Sequence, residues 1–324
     1  AYDGSMEPER DQVSRRLADG ERAVIRFRIP RPGSTEFVDL VRGDMRFDHA
    51  QVDDFVILRS DGSPTYHLAS TVDDVDYAIT HVIRGEDLLS STPKHILLTE
   101  AMGAVPAEYA HLSLLMGPDG KKLSKRHGDT AMSAYRTAGY LPEAMDNYLA
   151  LLGWAAGEDE NDIASLDEMV DRFDLGAVSR NPAVFDVAKL EWMNGVYIRS
   201  MSDDEFVAAI RPLVEESLGR PLGSGDADAL AAVAPLVKER TKLLPEVPDQ
   251  VRFLLAPIDG YDEDSWEKVM STPEATIALD GARDSLSSLD DWTTEAIDAA
   301  LRAMLADHEL SGRKGLQPIR VAVS

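Results

Sequence analysis

The sequence predicts an α/β region followed by an all-α region, on three observations. Short β-rich apolar runs dominate up to Leu58; strand and helix signals alternate from about His81 to Met116; and from Thr130 onward the signals are almost exclusively helical. The elements follow in order. Ala23-Val24-Ile25-Arg26-Phe27-Arg28-Ile29-Pro30 alternates apolar and basic residues as a half-buried strand does, and Phe37 to Val41 and Phe55 to Leu58 repeat the pattern. Asp61-Gly62-Ser63-Pro64 is a turn that closes this block. His81-Val82-Ile83-Arg84 reads as a short strand. Thr92 as N-cap with Pro93 at the first helical position opens a helix that Gly103 closes, and Ala110 to Met116 is the next strand. Strand, helix, strand in that order suits a parallel sheet, whose ligands bind beyond the carboxyl ends of the strands.

In the helical part, Ser165-Leu166-Asp167-Glu168 and Ser202-Asp203-Asp204-Glu205 have the spacing of capping boxes. Amphipathic helices are expected from Ala227 to Leu244 and from Thr293 to Ala306, with loops at Gly219 to Gly225 and Pro257 to Gly260. No internal repeat or long low-complexity tract interrupts the chain.

The 324 residues, 44% of them hydrophobic, imply two or more domains with sizeable cores. No apolar run reaches the roughly 18 residues needed to cross a bilayer, so a cytoplasmic protein with no membrane partner is expected. Zero cysteines exclude disulfides and thiolate zinc sites, and the seven histidines fall at no metal-ligating spacing; no protein-bound metal is expected. A formal net charge of −25 argues, taken alone, against a nucleic-acid partner. Local patches decide binding, however, and one stretch is strongly basic.

That stretch is Lys121-Lys122-Leu123-Ser124-Lys125-Arg126, which follows the apolar run His111 to Met116 and the turn Gly117-Pro118-Asp119-Gly120. Clustered cations with a serine among them suit a site that holds a polyphosphate while negative charge redistributes. A solvated charged turn has the same composition. The spacing is not that of a phosphate-binding P-loop, which needs G-x-x-x-x-G-K-[ST]. Upstream lie Val82-Ile83-Arg84-Gly85-Glu86-Asp87 and Ser90-Ser91-Thr92-Pro93-Lys94-His95. Further on come Tyr148 to Trp154, Pro182 to Asp186, Trp192 to Gly195 and Gln317 to Val323.

With Asp39-Leu40-Val41-Arg42-Gly43 and Asp54 to Arg59, these stretches make the chain resemble bacterial glutamyl-tRNA synthetases, class I aminoacyl-tRNA synthetases, over nearly its whole length from about Val24. The resemblance implies the second half of a Rossmann-type catalytic domain with a β-containing acceptor-binding insertion, then a helical stem-contact domain and an α-helical anticodon-binding region. The expected divisions are 1–65 for the insertion, 66–117 for the catalytic half, 118–200 for the KMSKS-type loop and stem-contact domain, and 201–324 for the anticodon-binding region. The family's first strand and its HIGH-type histidine motif have no counterpart in this sequence. The chain is therefore expected to be part of a longer enzyme and not competent alone.

The implied activity is ATP-dependent activation of L-glutamate to glutamyl-adenylate and transfer to the 3′-terminal adenosine of tRNA(Glu), with Mg²⁺ accompanying ATP and the enzyme acting as a monomer. Lys122 and Lys125 match the two lysines of the family's basic motif and would contact the departing phosphates, as compact point charges suit that role, with Ser124 hydrogen-bonding alongside. Tyr66, Arg84 and Ser70 would face glutamate; Ser70 stands where some members carry asparagine. The backbone at Leu114 and Leu115 would lie against adenine, and Arg240 near the anticodon. The residues alone leave other readings open: Tyr66 as a strand aromatic in the core, Arg84 as an ion-pair partner of Glu86 or Asp87, Arg240 as a solvated surface cation. A non-catalytic tRNA-binding paralogue is the alternative to the ligase, and a generic α/β nucleotide-binding protein is a third.

Overall fold

The computed structural model describes residues 8–124, 126, 131–154, 162–258 and 260–323. The chain forms two compact units, Ala1–Tyr135 with Pro142–Met193, and Arg136–Leu141 with Asn194–Ser324.

The first unit opens with helix α1 (Arg10–Ala18), followed by strands β1 (Ile25–Phe27), β2 (Ser34–Asp39), β3 (Gly43–Asp48) and β4 (Phe55–Leu58). The β-rich reading of this stretch did not include α1, whose highly charged sequence lies on the surface and buries no stripe that sequence periodicity could register. The first strand is also shorter than the alternating run suggested. β1 pairs antiparallel with β4, and their side chains Phe27, Phe55 and Ile57 pack with Ile29 and Val52 on Leu97 and Leu98.

Helix α2 (Tyr66–Asp76), strand β5 (His81–Gly85), helix α3 (Thr92–Ala101) and strand β6 (Glu108–Leu112) follow. β5 and β6 run parallel in register from His81 opposite Glu108 to Gly85 opposite Leu112, so the expected crossover unit is present. They join the β2–β3 hairpin in one four-stranded sheet of order β3-β2-β6-β5, linked where Asp39 lies opposite Tyr109. α3 is buried along most of its length, as a crossover helix covered on several sides must be. Its N-cap is Ser91, one residue before the expected Thr92. The Thr92 hydroxyl is instead engaged by Arg84 and His111.

The strand expected from Ala110 to Met116 is two strands. After β6 the Leu114 N–H donates to the Glu86 carboxylate rather than to a neighbouring strand, and the chain resumes as β7 (Leu115–Met116). β7 pairs parallel with β8 (Ala183–Val184), a strand inside the stretch read as helical; two residues held only by a partner some 70 positions away leave no local signal. Helices α4 (Met132–Thr137), α5 (Pro142–Leu151), α6 (Leu166–Arg172) and α7 (Val187–Ser200) complete this part of the chain. Ser165 forms the predicted capping box on α6.

The second unit is helical: α8 (Asp203–Leu218), α9 (Ser224–Lys238), α10 (Val247–Leu255), α11 (Glu263–Ser265), α12 (Pro273–Ser287), α13 (Thr294–Asp307) and α14 (Gly312–Val323). Ser202 caps α8 as the spacing predicted. Phe206, Ile210 and Val214 recur every fourth residue on α8 and meet Leu230, Ala234 and Val237 of α9 and Val247, Val251 and Leu255 of α10. Each large side chain buried there contributes about 1.5–3 kcal/mol. α9 stops at Lys238, short of the predicted Leu244. Thr241 turns its hydroxyl back onto the Val237 carbonyl, Leu243 is extended, and Leu244–Glu246 starts a separate 3-10 turn that carries Pro245 in its first positions. Among the described residues no helix is long and apolar enough to cross a membrane.

Candidate functional site

The site lies at the carboxyl ends of β5 and β6. Arg84, the fourth residue of β5, is held on two of its nitrogens. Its Nε donates to His111 Nε2 at 3.1 Å and its Nη2 to the Thr92 hydroxyl at 3.0 Å, with the Leu88 carbonyl at 3.4 Å. The guanidinium carbon stands 5.5 Å from the centre of the Tyr109 ring. Arg84 makes no hydrogen bond to Glu86 or Asp87 among the described residues. Glu86 pairs with Arg42 at 2.5 Å, and Asp87 accepts from Lys122 Nζ at 2.6 Å.

That last contact ties the basic stretch to the end of β5. Leu115, Met116, Lys122 and Leu123 form a tight hairpin, with the Leu123 N–H donating to the Leu115 carbonyl and the Gly117 N–H to the Lys121 carbonyl. Lys122 leaves it toward Asp87, three residues beyond Arg84. Gly85 permits this, because a Cβ there would stand 2.6 Å from the folded-back Asp87 carboxylate. The bond from Lys122 holds the Asp87 carboxyl below its ordinary pKa. Ser124 is half-buried, and Lys125 lies outside the described residues.

Tyr66 is the first residue of α2, not part of a strand, and half its surface is exposed; Ser70 follows one turn later on the same helix. The Tyr66 ring meets His95 of α3 edge-on at 5.6 Å, and His67 Nδ1 lies 3.1 Å from His95 Nε2. Burial first, then the charge of Arg84, drives the His95 pKa down to about 3, so this imidazole is neutral. Tyr66 and Arg84 therefore share His95 as a neighbour. The Leu114 and Leu115 main chains are engaged, by Glu86 and by β8 with Leu123 respectively. The Leu115 side chain lines an apolar cavity of about 500 Å³ with Ile83, Leu112, Trp154, Met169 and Phe173.

Arg240 is in the second unit, exposed on the turn after α9 and not within a helix. Four residues given no role in the site by the sequence reading are linked to Arg84: Thr92 and His111 directly, and Asp39 and Arg42 through His111. All four lie inside the quoted motifs, but only pairing across the sheet brings residues some 70 positions apart into contact. Histidine within an apolar strand was the available signal.

Chemically, the arrangement offers a half-buried guanidinium of fixed orientation and a lysine cation paired with Asp87 three residues further along the chain, which suits ligands carrying both a carboxylate and phosphates. Residues 2–192 match the family described as tRNA synthetases class I (E and Q), catalytic domain, and residues 205–324 match the anticodon binding domain family. The chain belongs to the class I tRNA synthetase family of the E and Q type, with a class I catalytic region followed by an anticodon-binding one.

Within that family its relatives are glutamate–tRNA ligases. It is 43% identical over 308 residues to the enzyme of Dehalococcoides mccartyi, covering 94% of this chain and 63% of that protein. It is 43% identical over 323 residues to glutamate–tRNA ligase 2 of Rhodospirillum centenum, covering 68% of it. The crystal structure of a glutamate tRNA ligase from Elizabethkingia meningosepticum in complex with its amino acid superposes with a TM-score of 0.79 at 32% identity, covering 98% of this chain and 66% of that one. The chain thus spans about two thirds of the length of these relatives.

Proposed function

We propose that this chain supplies the second catalytic half and the beginning of the anticodon-binding region of a glutamate–tRNA ligase. The enzyme activates L-glutamate with MgATP to glutamyl-adenylate and transfers the glutamyl group to the 3′-terminal adenosine of tRNA(Glu), working as a monomer in the cytoplasm. In this reading Arg84 pairs with a carboxylate of glutamate, with Tyr66 and Ser70 alongside. Lys122, Ser124 and Lys125 attend the phosphates, the Leu114–Leu115 backbone lies against adenine, and Arg240 faces the anticodon. The divisions at 65, 117 and 200 belong to the same reading.

One observation carries it: Lys122 of the basic hairpin reaches Asp87, three residues past Arg84, so the phosphate-binding candidate and the carboxylate-binding candidate meet at one sheet end. Glutamate's carboxylate attacks the α-phosphorus of ATP, and the protein's task is to hold two anions together while charge moves onto pyrophosphate. Loss of one preorganised cation costs ~10²–10³ in rate by analogy with other single-donor deletions. The test is ATP–pyrophosphate exchange with glutamate and tRNA on the complete reading frame, with Lys122→Ala and Lys125→Ala beside the wild type. Unchanged exchange in both variants would refute the phosphate assignment. Absent exchange in the wild type, with tRNA still bound, would instead favour the non-catalytic paralogue.

A further inference from the structure

Arg84 is oriented by a buried relay that starts on a different part of the sheet. Asp39, at the end of β2, and His111, on β6, have fully buried side chains. Asp39 Oδ1 accepts the N–H groups of Val41, Arg42 and His111 at 2.9–3.1 Å, and its Oδ2 lies 2.6 Å from His111 Nδ1. Burial alone would raise the Asp39 pKa, but the bonds from His111, Arg42 and Val41 outweigh it and keep the group an anion. An ionised carboxylate only accepts, so Nδ1 must carry the imidazole proton. Burial keeps His111 neutral, which leaves a lone pair on Nε2. That lone pair faces the Arg84 Nε–H at 3.1 Å, with the Thr92 hydroxyl 3.2 Å from the same nitrogen. Arginine has no acceptor, so only this tautomer can make the contact.

We infer that Asp39 and His111, with Thr92, are positioning residues for Arg84: they lock its Nε and Nη2 edge into the protein and so fix the direction in which the remaining Nη1 donors meet a ligand carboxylate. The inference rests on the reading of Arg84 as the carboxylate-binding residue. Among the described residues nothing accepts a hydrogen bond from Arg84 Nη1, which keeps those two N–H groups available. A guanidinium already fixed at two nitrogens loses less freedom when it binds, and it discriminates by direction as well as by charge.

Asp39→Asn tests this with little change in shape. Its Oδ1 can still accept the three backbone N–H groups, but the amide then presents N–H to His111 Nδ1. The imidazole must move its proton to Nε2, where it opposes the Arg84 Nε–H. Ring ¹⁵N NMR, recorded without ligand, should show the Nδ1–H tautomer at His111 in the wild type and the Nε2–H tautomer in the variant. In pyrophosphate exchange on the complete enzyme, KM for glutamate should rise roughly 10- to 100-fold while KM for ATP holds, the scale expected when one hydrogen bond to a charged group is lost. A purely structural role would move both constants or neither.

A wild-type Nε2–H tautomer overturns the inference, as does a switched tautomer with an unchanged KM for glutamate. If Asp39→Asn does not fold, Thr92→Val and Thr92→Ser decide: a raised glutamate KM in the first and a normal one in the second support the relay, and normal values in both refute it. A wild-type enzyme that ignores glutamate overturns the carboxylate half of the inference together with the proposed function. The ligand-free tautomer distinguishes that failure from failure of the relay.

Discussion

His95 makes the first unit sensitive to acid in a way that can be worked out in advance. The imidazole is 1% exposed on α3, with His67 Nδ1 3.1 Å from its Nε2 and the Thr71 hydroxyl 3.4 Å from its Nδ1. Burial, then Arg84, His67 and Lys94, lower its pKa from 6.5 to about 3. The folded state therefore binds fewer protons than the unfolded chain, and the stability from a neutral His95 is complete above pH 6.5 and drains away as pH falls toward 3. At about pH 5.5 an unfolded histidine is some ten parts in eleven protonated while the folded one is still neutral, which amounts to about 1.4 kcal/mol lost relative to pH 7.5; each further unit removes about 1.4 kcal/mol more. His67, also depressed chiefly by burial, adds in the same direction. The assay is hydrogen exchange of the α3 amides read by mass spectrometry and corrected for intrinsic rates, comparing the wild type with His95→Gln. The wild type should lose more protection between the two pH values, by about tenfold. Equal losses in the two proteins would show that His95 titrates normally and that the reasoning from burial is wrong.

Three further outcomes follow from packing. Gly139 has φ +90°, and a Cβ there would stand 2.2 Å from Pro245 Cδ, so Gly139→Ala should cost about 2–4 kcal/mol, measured by urea unfolding of the second unit's helices. Asn194, wholly buried, accepts the Leu141 N–H at 2.8 Å and donates to the Lys242 carbonyl at 2.5 Å; Asn194→Ala removes both bonds and should lower stability by about 2–4 kcal/mol in the same measurement. Phe206→Ala opens a cavity between α8, α9 and α10 and should cost about 3–5 kcal/mol; a loss under 1 kcal/mol by calorimetry would mean the cluster collapses around the gap.

Much of this protein was legible in one dimension because its signals are local. Capping boxes at Ser165 and Ser202 satisfy helix ends within four residues, so the spacing alone announces them. The β5–α3–β6 crossover follows from apolar runs, Pro93 and Gly103, and the breadth of the matching motifs carried the family.

What the sequence could not decide depends on partners distant along the chain. β8 exists because β7 lies beside it, the strand after β6 breaks because Glu86 captures the Leu114 N–H, and the helical stretch read to Leu244 is divided by an extended Leu243 into α9 and a short 3-10 turn. The relay behind Arg84 is the clearest case. Asp39, Arg84, Thr92 and His111 are ordinary residues in sequence, and composition fixes neither the tautomer of a histidine nor the heading of a guanidinium. Only folding sets a carboxylate 2.6 Å from Nδ1 with both side chains fully buried, where each hydrogen bond must be satisfied by a specific neighbour.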